Sequence, residues 1–298
     1  MQIKRQRENT AVCRASSKLL ELKNMLVCRR QLNESLGDAC RTSMILQRTS
    51  SPERLFMTTL EIIRQAQADS LLDEDGQIVT LELLPGLSES ELRDFARQMP
   101  CGIPPEVAVL LSACRGFYGT AEQVDFTGRD LMFEFAAAFP FGLPIAADGC
   151  GNFWVVDLHP HATKWGPIYF ACHDAPLILY QSDSLEQFLS ELFRMFKPPH
   201  QSLVDDVHED RLAHVWQTNP GVLSYEQCLQ SGDPILSAFA HELDDSFQVI
   251  DLRRANPGDG FSWGRYGPRT LVKRFGTYAV FAYQKPKGFL TRLFGGAG

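Results

Sequence analysis

Three short stretches hold residue types that could do chemistry. Cys172-His173-Asp174 presents a thiol, a base and an orienting acid in consecutive positions. Consecutive residues on a strand project to opposite faces, so these three cannot converge as nucleophile, base and orienter. Pairing Cys150 with His173 would restore a dyad, but no nucleophile-elbow sequence surrounds either residue. His159-Pro160-His161 has a spacing found in some metal sites, with Asp157 or His173 as further ligands. No second spaced pair completes the shell, and the stretch reads as a polar loop. Asp148-Gly149-Cys150-Gly151-Asn152 lacks the alternating ligands and closing glutamate of a calcium loop, and the G-K-[ST] of a phosphate cradle. It reads as a tight inter-strand turn in which Gly149 and Gly151 take positive φ. The expectation is a chain with no catalytic residue, no metal and no cofactor.

Charge points instead to binding. Residues 1–56 hold 11 Lys/Arg and 5 Asp/Glu, residues 57–252 hold 9 and 30, and residues 253–298 hold 9 and one, Asp259. An acidic middle lies between two basic ends, which bears on steering and partner choice rather than on fold. Such a middle suits a cationic partner. The candidate contacts are the turn Asp73-Glu74-Asp75, the turn acids Asp148 and Asp157, and the cluster Asp205-Asp206-x-His208-Glu209-Asp210. Rim charges mainly speed association and aromatic anchors carry affinity. Trp165 is taken as the anchor, with Trp154, Tyr169 and Trp216 also available or else core. Phe261 to Arg269 mixes aromatics, glycines and arginines, a composition that can stack on nucleic acid. No RNP pattern follows it, so nucleic acid is not the expected partner. The basic C-terminal block could equally dock on the acidic middle of its own chain.

The elements that position these residues are read from periodicity. The chain is 298 residues, 44% hydrophobic and 22% charged, ordinary for a globular protein. Eight cysteines without C-x-x-C spacing read as reduced, mostly buried thiols of a cytoplasmic protein. No signal peptide is read at the N-terminus. The greasiest stretch, Leu131 to Ala147, is broken by Glu134, Pro140, Gly142 and Pro144 and is too short to span a membrane.

Residues 1–56 read as a disordered basic leader in which Lys18–Lys23 could form a helical turn or two. Either translation starts at Met57 or the leader is a transit peptide, against which Glu8, Glu21 and Glu34 count. Ser88-x-x-Glu91 caps one helix, and Pro104-Pro105 opens another with Val107, Leu110, Leu111 and Cys114 inward and Gly116 at its exit. Strands are expected around Leu131–Phe135, Phe153–Val156, Ile168–Phe170 and Leu177–Tyr180. Ser184-x-x-Gln187 caps a third helix with Leu185, Phe188, Leu189, Leu192, Phe193 and Phe196 on one stripe. After Pro198-Pro199, Leu203 to Glu242 reads as helical with a break at Asn219-Pro220-Gly221. Three strands follow, at 247–252, 270–275 and 278–283. The expected organisation is a leader over 1–56, a domain over 57–198 and a C-terminal α+β region over 199–298.

In this order, the middle section resembles the SUKH superfamily, which includes the fungal Smi/Knr cell-wall-assembly regulators and many bacterial immunity proteins. The motifs are Leu84-Pro85-Gly86-Leu87 before a capped helix, and Ile103-Pro104-Pro105-Glu106 before a Leu-Leu helix ending at Cys114-Arg115-Gly116. Then come Leu143-Pro144-Ile145-Ala146-Ala147-Asp148-Gly149-Cys150-Gly151-Asn152-Phe153, Gly166-Pro167-Ile168-Tyr169-Phe170, and Ser182-Asp183-Ser184-Leu185 opening the closing helix. The resemblance covers about residues 80–196, and Cys150 stands where the family usually has a small residue or glycine. It implies an α+β fold, a twisted, largely antiparallel sheet flanked by helices, here with a C-terminal α+β extension. It also implies a non-enzymatic, protein-binding role. The partner would be a basic toxin domain such as a nuclease for an immunity-type protein, or intracellular partners for a regulatory scaffold; a thiol-dependent enzyme is the third reading.

Overall fold

The computed structural model describes residues 57–120, 122–129, 131, 135–173, 176–264 and 270–285. The described residues belong to one compact unit. The expectations for the leader, for Asp174, for Arg265–Arg269 and for the C-terminal tail lie outside the described residues.

In chain order the elements are α1 (Thr59–Ala68), β1 (Leu71–Leu72), β2 (Ile78–Val79), β3 (Glu82–Pro85), α2 (Glu89–Gln98), α3 (Pro105–Ala113), β4 (Cys114–Tyr118) and β5 (Gln123–Asp125). Next come β6 (Gly142–Ala147), β7 (Phe153–Asp157), β8 (Ile168–Cys172), β9 (Leu177–Ser182) and α4 (Leu185–Arg194). A continuous helical stretch follows, made of α5 (Leu203–Asp206), a π-turn (Val207–Arg211) and α6 (Leu212–Thr218). The chain continues through β10 (Leu223–Ser224), α7 (Tyr225–Leu229), α8 (Pro234–His241), β11 (Phe247–Asp251), β12 (Gly260–Ser262), β13 (Val272–Arg274) and β14 (Val280–Gln284).

Strands β3 to β9 form an antiparallel meander, and β12 pairs onto the outer edge of β9 to complete eight strands. A four-stranded antiparallel sheet, ordered β10-β11-β14-β13, comes from the C-terminal third. The period-two alternation of the central strands shows what each sheet face meets. Trp154, Val156, Ile168, Phe170, Leu177 and Leu179 share a core with α1, α3 and the apolar stripe of α4. Their alternates Phe153, Val155, Tyr169, Ala171, Ile178 and Tyr180 pack on Ile250, Leu252, Phe281 and Tyr283 of the C-terminal segment. The remaining side chains of that second sheet, Phe247, Val249, Val280 and Ala282, meet Cys228, Leu236, Phe239 and Ala240 of α7 and α8. Helices, sheet, sheet and helices thus stack in four layers, an α+β architecture of antiparallel sheets flanked by helices with a C-terminal helix-and-strand extension.

Caps start the helices where the sequence places them. The Ser88 hydroxyl accepts from the Glu91 amide at 3.3 Å, and the Glu91 carboxylate accepts from the Ser88 amide at 2.8 Å. The second helix departs from expectation. It stops at Ala113, and Cys114 opens β4, because pairing with β3 and β5 overrides the helical period there. Gly116 lies inside that strand, where a Cβ would sit 2.1 Å from the Val124 carbonyl oxygen. Its glycine serves close strand approach, not a helix exit. The strand expected at Leu131–Phe135 is also absent at its described residues, both of which lie in irregular backbone. The sheet uses Gly142–Ala147 instead, which carries enough branched and small side chains to be buried on both faces.

Phe261 belongs to the second core rather than to an exposed aromatic loop, and is fully buried against Phe281 and Tyr283. The break at Asn219 proves to be a junction. Its left-handed backbone (φ 48°) ends α6, and its side chain donates to the Ser262 carbonyl and the Tyr283 hydroxyl while accepting from the Ser262 amide.

Asp157, expected at a binding surface, is corrected to an interior role. Both its oxygens accept from Arg274 of β13 at 2.6 Å, and the two side chains are 4% and 5% exposed. Arg274 also donates to the carbonyls of Thr277 and Tyr278 and lies over the Phe281 ring. Removing one partner of such a pair strands a buried charge, so Arg274→Met should destabilise the chain by about 3–5 kcal/mol. Urea denaturation of the two proteins at neutral pH measures it.

Candidate functional site

The turn between β6 and β7 is built on one carboxylate. Oδ1 of Asp148 accepts from the amides of Cys150 (2.8 Å) and Asn152 (3.2 Å), and Oδ2 accepts from the Asn152 side-chain amide at 2.6 Å. Gly149 and Gly151 take φ of 75° and 91°, as expected for this turn. Asn152 Oδ1 then accepts from the His173 amide at 3.0 Å, locking the turn to the end of β8.

The helical stretch after the double proline lies across the same end of the sheet. Ser202 caps α5, accepting from the Val204 amide and donating to the Glu191 carbonyl. Gln181 of β9 accepts from the Trp154 indole and donates to the Leu203 carbonyl, tying sheet to helix. The π-turn then carries His208 over the sheet, a local widening of the kind often found at functional positions. Its ring packs 5.2 Å from Phe170 and 6.1 Å from Trp154, centroid to centroid, and its Nε2 lies 3.7 Å from Asp148 Oδ2.

A third group completes the cluster. Glu122, in the turn between β4 and β5, is 6% exposed, and its Oε2 has no hydrogen-bond partner. Burial, reinforced by Asp148 and Asp205, pushes its carboxyl above the usual range against the pull of a hydrogen bond from its own amide and of His208. Burial would also raise Asp148, but His208 and the turn's hydrogen bonds outweigh it and hold that carboxyl low. For His208, burial favours the neutral ring, yet Asp148, Glu122 and Glu209 prevail and raise its pKa above 6.5.

The structure therefore brings together two of the acid sets singled out from sequence. Asp148 meets the 205–210 segment through His208; Asp205 and Glu209 face the cluster, while Asp206 and Asp210 are exposed on the same turns. The Asp73-Glu74-Asp75 turn joins β1 to β2, where Asp73 Oδ1 caps the amides of Asp75 and Gln77, with Glu74 and Asp75 exposed. Trp165 is 3% exposed and stacks edge-on against Phe95, so it is core and not a surface anchor. Trp154 and Tyr169 are buried likewise.

Glu122 was missed in the sequence because no pattern marks β4 and β5. His208 stood in the acidic run, but its partners lie in distant turns. Cys172 is buried at the end of β8, and His173 is exposed in the turn that follows it. Among the described residues, no three His, Cys, Asp or Glu are grouped to hold a metal ion, and Cys101, Cys114, Cys150, Cys172 and Cys228 are free thiols. Burial raises the thiol pKa of Cys101, Cys114 and Cys228, which opposes nucleophilic use. No helix among the described residues is long and apolar enough to cross a membrane.

Residues 86–191 match the sequence model of the SMI1 / KNR4 family (SUKH-1). The matched segment contains Glu122 and Asp148 and stops before His208. No curated protein and no solved structure matches the chain.

The three groups respond to pH with different signs. Protonated His208 contributes stability that is full below its unfolded value near 6.5 and is lost as pH rises through its higher folded value. Asp148 contributes above its ordinary value of 3.8, and that contribution is lost as pH falls through its lower folded value. Glu122 is the reverse case: its folded state holds the proton longer, so ionising it costs stability as pH rises from 4.5 through the folded value. Glu122→Gln should accordingly raise the thermal midpoint at pH 8, by about 2–4 °C per kcal/mol relieved, and leave it nearly unchanged at pH 4. Calorimetry at the two pH values checks this. Asp148→Asn should lower the His208 titration midpoint, read by NMR of the imidazole signals.

Proposed function

We propose that this chain is a non-enzymatic, protein-binding SUKH protein of the immunity type, which neutralises a basic toxin domain, such as a nuclease, by occupying it. The observation that carries the proposal is the convergence of Asp148, Glu122 and Glu209 around His208, with Asp205 beside Glu122, on and beside the matched domain. Such a cluster attracts cations and repels phosphate, so it suits a basic protein and not a nucleic acid. The distribution of charge supports the same partner, since residues 57–252 carry 30 acids against 9 bases. The family match supports a binding role over a thiol enzyme. A cytoplasmic location fits the free cysteines.

Affinity capture with the tagged full chain from its own host tests the proposal. The expected catch is a basic protein whose retention falls steeply with salt, because exposed charges are screened over about 8–10 Å at moderate ionic strength. A toxin in the catch, encoded beside this chain, supports immunity. A housekeeping enzyme or signalling protein there would support the regulatory-scaffold reading instead. Salt-insensitive capture would contradict the charge mechanism.

A further inference from the structure

Among the described residues three carboxylate side chains are buried: Glu122, Asp125 and Asp157. Two of them have an arginine of their own. Asp125 accepts from Arg115 at 2.6 Å and from the Thr127 amide and hydroxyl, and Asp157 is held by Arg274. Glu122 has neither an arginine nor any hydrogen bond to Oε2. Buried carboxylates are almost always paired, and an exception at a site open to solvent calls for a missing partner. Exposure grades across the site. The His208 side chain is 37% exposed, that of Asp148 is 15%, and Glu122 is 6% exposed. The antiparallel register of β5 on β6, with Gln123 opposite Ala147, sets Glu122 beside Asp148.

We propose that Glu122 and Asp148 form a receptor for one lysine or arginine side chain of the protein partner, and that this cation displaces the proton of His208. The proposal rests on the protein-binding reading above and adds the contact. The ligand must be cationic, because two carboxylates with Asp205 beside them repel an anion. Among the described residues no three ligating groups are arranged for a metal, and an ammonium or guanidinium needs only the two carboxylates.

In the unbound protein, His208 supplies the positive charge. The charged groups facing it are Asp148 from the β6–β7 turn, Glu122 from the β4–β5 turn and Glu209 from its own turn. An incoming ammonium or guanidinium neutralises the same carboxylates, so cation and imidazole proton compete, and each weakens the other by the same factor. Binding therefore strengthens as pH rises through the His208 midpoint. Ionisation of Glu122 acts in the same direction. The family domain supplies the carboxylates, and the π-turn beyond it supplies the imidazole, so the competition belongs to this chain's own C-terminal segment.

The test is an NMR titration of the full chain with acetyl-arginine methylamide and with butylammonium, following the His208 imidazole, with the neutral acetyl-citrulline methylamide as control. The two cations should shift the His208 signals and lower its midpoint, and citrulline should do neither. Glu122→Gln should weaken the cation about tenfold. His208→Gln should keep binding and weaken its dependence on pH, leaving the part that comes from ionisation of Glu122. Glu106→Gln, exposed in the first turn of α3, should bind as the parent does. A silent His208, equal response to citrulline, or undiminished binding by Glu122→Gln would overturn the receptor. If the host's basic partner is captured equally by Glu122→Gln, the receptor fails and the protein-binding function stands. If the cations bind as described but no partner is captured by any variant, the receptor stands and the function fails.

Discussion

The strands at the centre of the large sheet are apolar on both faces, and the rest of the molecule follows from that constraint. Strands β7, β8 and β9 are buried at every residue. One face is covered by the helices of the matched domain, as a solvent-facing antiparallel sheet would need on one side only. The other face exposes Phe153, Val155, Tyr169, Ile178 and Tyr180 unless something lies on it. Each such side chain is worth about 1.5–3 kcal/mol when buried. The C-terminal segment meets that demand with a second sheet, and β12 closes the open edge of β9. Residues beyond 199 are thus packed into the domain's hydrophobic balance as well as following it in sequence.

The same segment supplies the two cationic groups that answer the domain's inward-facing acids. Arg274 neutralises Asp157, permanently and bidentately. His208 stands near Asp148 and Glu122 in a contact of 3.7 Å that a proton or a stronger cation can alter. The first arrangement is structural, because nothing can reach it. The second is partly open to solvent, its charge depends on pH, and one of its carboxylates costs stability when ionised. Polar groups retained at a cost to stability mark sites where function outweighs packing.

Much of this was legible in sequence where the signal is local. The capping box at Ser88 and the stripe of α4 follow from spacing within a few residues, and the Asp148 turn follows from its glycines. The alternation in β7 to β9 announced strands but not that both faces would be covered, because burial of Phe153 depends on Phe281, over a hundred residues away. Strands β4 and β5 were hidden for a related reason. Their short segments interrupt a helical period, and only pairing with β3 and β6 makes them strands. With them went Glu122, whose meaning comes from His208 and Asp148 in two other elements. Trp165 and Asp157 show the converse error: a conspicuous residue type in a polar stretch, drawn inward by Phe95 and by Arg274.

The central claim is that Glu122 awaits a cation from a protein partner. A double-mutant cycle between Glu122→Gln and alanine substitution of each basic residue at the captured partner's interface measures that directly. One partner lysine or arginine should couple to Glu122 by about 1.5 kcal/mol or more. If every pair is additive to within about 0.5 kcal/mol, no partner cation reaches this carboxylate and the account is contradicted.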